Sequence, residues 1–356
     1  MSPKRVEPCG PRDAKIAIVG EAPGSDEERL GIPFVGSSGD LLTRTLLGVG
    51  IKRESCYITN VIKVRPPANK LERLKELGLT IEEFYPELYT ELNQIKPNIV
   101  IALGNTPLMA LTGQTGISNW RGSVLEGVDE IKGLKIIPTV HPAFCLRVYN
   151  QIHLLRFDLK KALKESEYPE IRRVQRVYHI NPTFDDALSM LNEYSEASRL
   201  SIDIETYMKS GLIRTIAICS NSTVALCIPF IQSIHQLYWS RCEEIEIWKR
   251  LSALLLDPDK EIIAQNAQFE TMQLWPYLNG QIHYWMDTLR AHAIAYPEFP
   301  HSLAFMNSIY TDMPYYKEEG KQALQGNRDF NTLQIYNCKD ALVTFEIAEK
   351  LERELQ

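Results

Sequence analysis

Residues 200–205 read Leu-Ser-Ile-Asp-Ile-Glu, a strict alternation of aliphatic and polar side chains. Period two is the signature of a strand with one buried face, so Asp203 and Glu205 leave the same side of it. Two carboxylates at one strand end form a natural half-site for divalent metal. Phosphodiester hydrolysis benefits from two such ions about 4 Å apart, one activating water and one stabilising the leaving oxygen. Further carboxylates must come from elsewhere. Tyr336 and Asp340 lie four apart within a long helical pattern over Thr332–Leu355, hence on one face.

Around that strand the pattern predicts Val177–Ile180 as a strand and Asp185–Tyr194 as a helix. Strands at Arg214–Ser220 and Val224–Phe230 then complete a meander with the first. A helix over Glu243–Leu256, a short strand at Glu261–Ala264 and a helix over Phe269–Leu278 follow. The expected architecture is a mixed sheet flanked by helices.

The quoted residues resemble the DnaQ-like 3′–5′ exonucleases of the proofreading type, in the subgroup with a tyrosine in its third motif. The resemblance runs from about Arg176 to Gln356. The first motif is Asp203-Ile204-Glu205-Thr206 and the third is Tyr336-Asn337-Cys338-Lys339-Asp340. The second, ordinarily N-x-x-F-D, stands as Asn266-Ala267-Gln268-Phe269-Glu270. Asp287-Thr288, His301-Ser302-Leu303 and Pro314-Tyr315-Tyr316-Lys317 look like the family-A polymerases of phages. The resemblance implies a ribonuclease H-like fold and two ions, Mg²⁺ or Mn²⁺, on Asp203, Glu205, Glu270 and Asp340. It makes Tyr336 catalytic and gives Asn266 and Phe269 to the substrate. Glu270 departs from the motif, placing its carboxylate roughly 1.5 Å further out, one bond length.

The first half alternates strand and helix patterns. Strands are expected at Lys15–Gly20, Cys56–Val61, Asn98–Leu103 and Gly133–Val140, and helices at Gly39–Val49, Ile81–Ile95, Pro107–Leu111 and Phe157–Glu167. That alternation implies a mostly parallel sheet covered on both faces, with ligands beyond the carboxyl ends of its strands. Four residues lie at the ends of predicted strands or in glycine turns there: Glu21 in Gly20–Gly24, Phe34 in Gly31–Gly36, Asn60, and His141 before Pro142. A carboxylate, a stacking ring, an amide able to donate and accept at one base edge, and an imidazole suit an extruded base. Lys63, Arg65 and Lys70, beside Pro66 and Pro67, are either phosphate contacts or a solvated face.

These segments, with Arg121-Gly122 and His141-Pro142-Ala143, resemble the uracil-DNA glycosylases of the family that ordinarily carries a 4Fe–4S cluster, over about Ile16–Asp158. The resemblance implies that Phe34 stacks on uracil and Asn60 reads its edge, with Arg65 also at the substrate. Glu21 would position water or stabilise the cationic sugar, and His141 would stabilise the departing base. The family's four cluster cysteines correspond here to Cys9, Arg12, Val64 and Tyr85, so no 4Fe–4S cluster is expected.

At 356 residues and a formal charge of −6, the chain is no generally basic nucleic-acid coat, so DNA contacts must be local or metal-bridged. Seven scattered cysteines without a C-x-x-C pair, and no apolar leader, suggest a reducing setting such as the cytoplasm of a host cell. No stretch is long and apolar enough to suggest a membrane partner. The expected organisation is an α/β protein of two domains: a parallel-sheet α/β/α glycosylase-like domain over 1–165, a linker over 166–176, and an exonuclease domain over 177–356. The fusion resembles the N-terminal part of certain phage DNA polymerases, with single-stranded DNA 3′ ends and a polymerase domain or subunit as partners. The sequence holds no polymerase motif, so a fragment or a separate proofreading subunit is expected. The rival reading is a non-catalytic DNA-binding or polymerase-associated module.

Overall fold

The computed structural model describes residues 3–207, 211–233, 236–318 and 329–356. The chain divides into two compact units, Met1–Arg172 and Arg173–Gln356.

The first unit is built on strands β1 (Ile16–Gly20), β2 (Cys56–Asn60), β3 (Ile99–Leu103), β4 (Leu125–Glu126) and β5 (Lys135–Thr139), in the order β2-β1-β3-β5-β4. All contacts are parallel except that of β4 with β5. Every residue of β1, β2, β3 and β5 is buried, as expected of strands covered on both faces. The helix expected at Phe157–Glu167 spans Ile152–Glu165. Its Asp158 meets Arg121 in a buried pair and accepts from Thr139 Oγ1 at 2.6 Å, which pins the helix under the end of β5. His141 leaves the sheet two residues later. The two-residue β4 carries no periodic pattern and is not visible in the sequence.

The second unit has strands β6 (Val177–His179), β7 (Arg199–Thr206), β8 (Ile213–Cys219), β9 (Val224–Pro229), a small hairpin of β10 (Ile231–Ser233) and β11 (Gln236–Leu237), β12 (Glu261–Ala264) and β13 (Tyr284–Asp287). The main sheet is ordered β13-β12-β7-β8-β9-β6, with β7, β8 and β9 forming the antiparallel meander. The helix Phe330–Leu355 buries Cys338, Ala341, Leu342 and Phe345 against Ala217, Cys219, Ala225 and Cys227 of β8 and β9. Thr183 with Asp186 and Ser240 with Glu243 form capping boxes on two further helices.

Within the segment 166–176, expected as the linker, contacts fall in one unit or the other. Ser166 is buried and its carbonyl accepts from Asn98, while Lys135, wholly buried, donates to the carbonyls of Glu165 and Tyr168. Val174 and Arg176 instead bind Asp312 in the second unit. Among the described residues, no helix is long and apolar enough to cross a membrane.

Candidate functional site

Each unit gathers its own polar residues. In the second, β7 presents Asp203 and Glu205 toward the C-terminal helix, where Tyr336 and Asp340 lie one turn apart. Asp203, Glu205 and Asp340 bring ligand oxygens within 4.8 Å of one another. Asn337 on the same helix donates to Asp203 Oδ2 at 2.6 Å. Burial and the Asp340 charge push the Asp203 carboxyl up to about 7. Burial and the neighbouring Asp203 and Asp340 charges also hold Glu205 well above its ordinary value.

Glu270 stands beside this group rather than inside it. It is 3% exposed, and among the described residues its Oε2 has no hydrogen-bond partner. Burial, then the Asp203 charge, raises it to about 9. A buried carboxylate oxygen without a donor next to three clustered carboxylates is the pattern that a divalent cation satisfies. The residues therefore fit such an ion. Asn266 is exposed at a left-handed φ of 64°, where Asp287 caps the turn by accepting from the Asn266 and Ala267 amides. Phe269 is 37% exposed on the helix Ala267–Leu274 that carries Glu270.

No pattern in the sequence assigns a role to Lys317 or Tyr316. Lys317 Nζ donates to both Asp340 oxygens, at 2.7 and 2.6 Å, and to the Tyr336 hydroxyl at 3.0 Å. The Tyr316 hydroxyl donates to Asp340 Oδ1 at 2.5 Å. Burial and the Asp340 charge push the Tyr336 phenol far up, so it is a neutral hydrogen-bonding group.

In the first unit Glu21, Phe34, Asn60 and His141 all line one cavity of about 250 Å³, together with Ser38 and Asn69. Phe34 has a φ of 55° and its ring stacks on His141 at 5.9 Å between centroids. The Thr106 hydroxyl donates to Glu21 Oε2 at 2.5 Å. His141 Nδ1 accepts from the Ala143 amide at 3.1 Å, and burial lowers the imidazole to about 4. Arg65 does not line the cavity: it holds Asn69 Oδ1 at 2.7 Å and Glu28 at 3.1 Å. Lys63 departs from both sequence readings, since it is 1% exposed and paired with Glu91. Of the four positions where the resembling family has cysteines, Cys9 is a free thiol and Val64 is buried. Cys9 and Ile58 exchange backbone hydrogen bonds of 2.9 and 2.7 Å, so main-chain pairing holds this segment to β2.

Close approach explains one glycine. A Cβ on Gly20 would lie 2.3 Å from Asn60 Oδ1 and 2.4 Å from the Phe34 ring. Gly20→Ala is therefore expected to push both side chains out of place. Overpacking of this kind costs about 1–3 kcal/mol. Thermal melting checks this, and an unchanged melting temperature would contradict it.

Residues 7–166 match the uracil DNA glycosylase superfamily and residues 178–356 match a 3′-5′ exonuclease family. The DNA polymerase of Bacillus phage SP01 is 29% identical over 390 residues, which cover 98% of this chain and 41% of that polymerase. The chain thus spans well under half of that relative's length. The type-4 uracil-DNA glycosylase of Thermotoga maritima is 39% identical over 140 residues, covering 39% of this chain and 69% of the glycosylase. Among solved structures, the catalytic core of RRP6 from Trypanosoma brucei aligns with a TM-score of 0.41 at 15% identity, over 51% of this chain and 47% of that one.

Proposed function

Because the chain belongs to the 3′-5′ exonuclease family through residues 178–356 and to the uracil DNA glycosylase superfamily through residues 7–166, we propose that the second unit removes nucleotides from DNA 3′ ends and that the first unit binds or excises an extruded uracil. The observation that carries the exonuclease reading is the convergence of Asp203, Glu205 and Asp340 within 4.8 Å beside a Glu270 oxygen that has no hydrogen-bond partner among the described residues. These four carboxylates would hold two divalent ions, Mg²⁺ or Mn²⁺. Such ions supply the positive charge that activates water and stabilises the leaving oxygen in phosphodiester hydrolysis.

The chain's own residues do the rest. Asn337 orients Asp203, and Lys317 brings a cation to Asp340 and the Tyr336 hydroxyl. Tyr336, as a neutral phenol, can accept or donate one hydrogen bond to the attacking water. Phe269 and Asn266 are exposed beside Glu270 and available to the strand end. Likeness to the phage polymerase supports a replication setting with a polymerase domain or subunit as partner. A 3′-labelled single strand incubated with Mn²⁺ tests the nuclease. The labelled end should be released by the wild type, and an intact label after prolonged incubation would refute the reading.

Metal dependence should also appear without any substrate. The folded Asp203 and Glu270 carboxyls sit at about 7 and about 9, above unfolded values of about 3.9 and 4.3. A folded-state pKa raised in this way contributes stability at low pH and loses it as pH climbs through the folded values. In EDTA, melting of the second unit should therefore fall as pH rises from about 4 to about 9. Mn²⁺ binding requires the deprotonated forms, so its stabilisation grows over the same range. At 100 times Kd the gain is about 2.7 kcal/mol, or roughly 5–10 °C for a unit of this size. Scanning fluorimetry with and without Mn²⁺ reads both slopes, and parallel slopes would contradict the carboxylate assignment.

A further inference from the structure

The cavity of the first unit has a buried cation behind it. Lys63 Nζ donates to Thr59 Oγ1 at 2.6 Å, to the Asn60 carbonyl at 2.9 Å and to the Glu91 carboxylate at 2.7–2.8 Å. An ammonium removed from water is tolerated only when its donors are satisfied, and here all three have acceptors. Thr59 and Glu91 also bind each other, Thr59 Oγ1 donating at 2.9 Å, so those two contacts join β2 to the helix Tyr85–Ile95. The third contact is different in kind. It falls on the backbone of the residue whose side chain faces the cavity.

The other side of that backbone is fixed as well. The Val61 amide donates to the Gly20 carbonyl at 2.9 Å and the Ile62 amide donates to the Glu21 carbonyl at 3.0 Å. The Asn60 amide meanwhile lies over Gly20, where no Cβ would fit. The Asn60 peptide is thus clamped between the Lys63 ammonium and the loop that carries Glu21. A side chain that reads a base edge by paired donor and acceptor must be held within about 0.5 Å and 10–20° of its working geometry.

We propose that Lys63 is a positioning residue for uracil recognition: its ammonium grips the Asn60 carbonyl and so fixes the amide that presents donor and acceptor to the base. Lys63 touches no base itself. The proposal rests on the base-binding reading of the cavity given above.

The test compares two affinities in one protein sample. Two single strands are used, one carrying a 2′-fluoro-2′-deoxyuridine, whose glycosidic bond resists cleavage, and one carrying 2′-fluoro-2′-deoxycytidine at the same place. Partial unfolding lowers both affinities equally, so their ratio reports recognition and not folding. The wild type should prefer uracil. Lys63→Met with Glu91→Leu, an apolar pair that leaves no charge stranded, should lose about tenfold or more of that preference. Its affinity for the cytosine strand should hold. Lys63→Gln keeps a donor near the Asn60 carbonyl and should fall between the two. A preference unchanged in both variants would overturn the proposal and leave Lys63 a structural brace. A wild type without preference would instead remove the base-binding reading, and the proposal with it.

Discussion

Asp203→Ala is expected to slow release of a 3′-terminal nucleotide by about 10³-fold or more, roughly 4 kcal/mol of lost transition-state stabilisation. Asp203 stands at the centre of the carboxylate group. It shares the 4.8 Å cluster with Glu205 and Asp340, and its charge is the largest acting on Glu270. Its removal would take away one of the carboxylates proposed to hold the ions and release Asn337 from its 2.6 Å bond. Stability should move the other way, because crowded buried carboxylates repel one another. In EDTA at high pH the variant should melt no lower than the wild type, and Glu270 should titrate closer to its ordinary range. Loss of nuclease activity with retained melting separates a chemical role from a structural one. Degradation of a labelled strand at the wild-type rate would remove Asp203 from the mechanism.

The parts of this fold legible in the sequence are those governed by local period. β1 and β3 are short aliphatic runs because both of their faces are buried, and the 200–205 alternation shows a strand with one polar face. The four-residue spacing of Tyr336 and Asp340 places both on one side of a helix before any tertiary contact is known. What stays hidden depends on where distant segments return. Lys317 reaches Asp340 from another part of the chain, and no local rule distinguishes it from a solvated lysine. Lysines are rarely buried and no local rule marks Lys63 as one; Glu91, 28 residues on, supplies the opposite charge that helps make its burial tolerable. Tyr284–Asp287 reads Tyr-Trp-Met-Asp, with neither alternation nor a β-branched residue, and it is a strand because β12 offers a parallel edge. Glu270 kept the charge that its motif requires. Its separation from the tight cluster is a matter of side-chain placement that the motif does not encode.

His141→Ala is expected to reduce excision of uracil from a single strand by about 10²–10³-fold, the usual effect of removing one donor aimed at developing negative charge. When the glycosidic bond breaks, its electron pair stays with the base, and uracil leaves as an anion. His141 suits that moment because it is neutral. Its Nδ1 accepts the Ala143 amide, which leaves the ring proton on Nε2 as a donor, and burial keeps the imidazole at about 4. A neutral donor stabilises the departing anion without carrying its own desolvated charge into the cavity. Stacking of Phe34 on the ring fixes the direction of that donor. The His141 contribution should therefore be constant from about pH 5 upward. It should change only as pH falls toward 4, where protonation of Nδ1 breaks the bond from Ala143. The same depressed pKa implies that this residue's share of stability is present above about pH 6.5 and lost on acidification toward 4. Alkali cleavage of a uracil-bearing strand after incubation measures the abasic product directly. A wild type that leaves no alkali-labile site would restrict the first unit to binding. Equal yields from the wild type and the alanine variant would mean that the departing base is stabilised by another group.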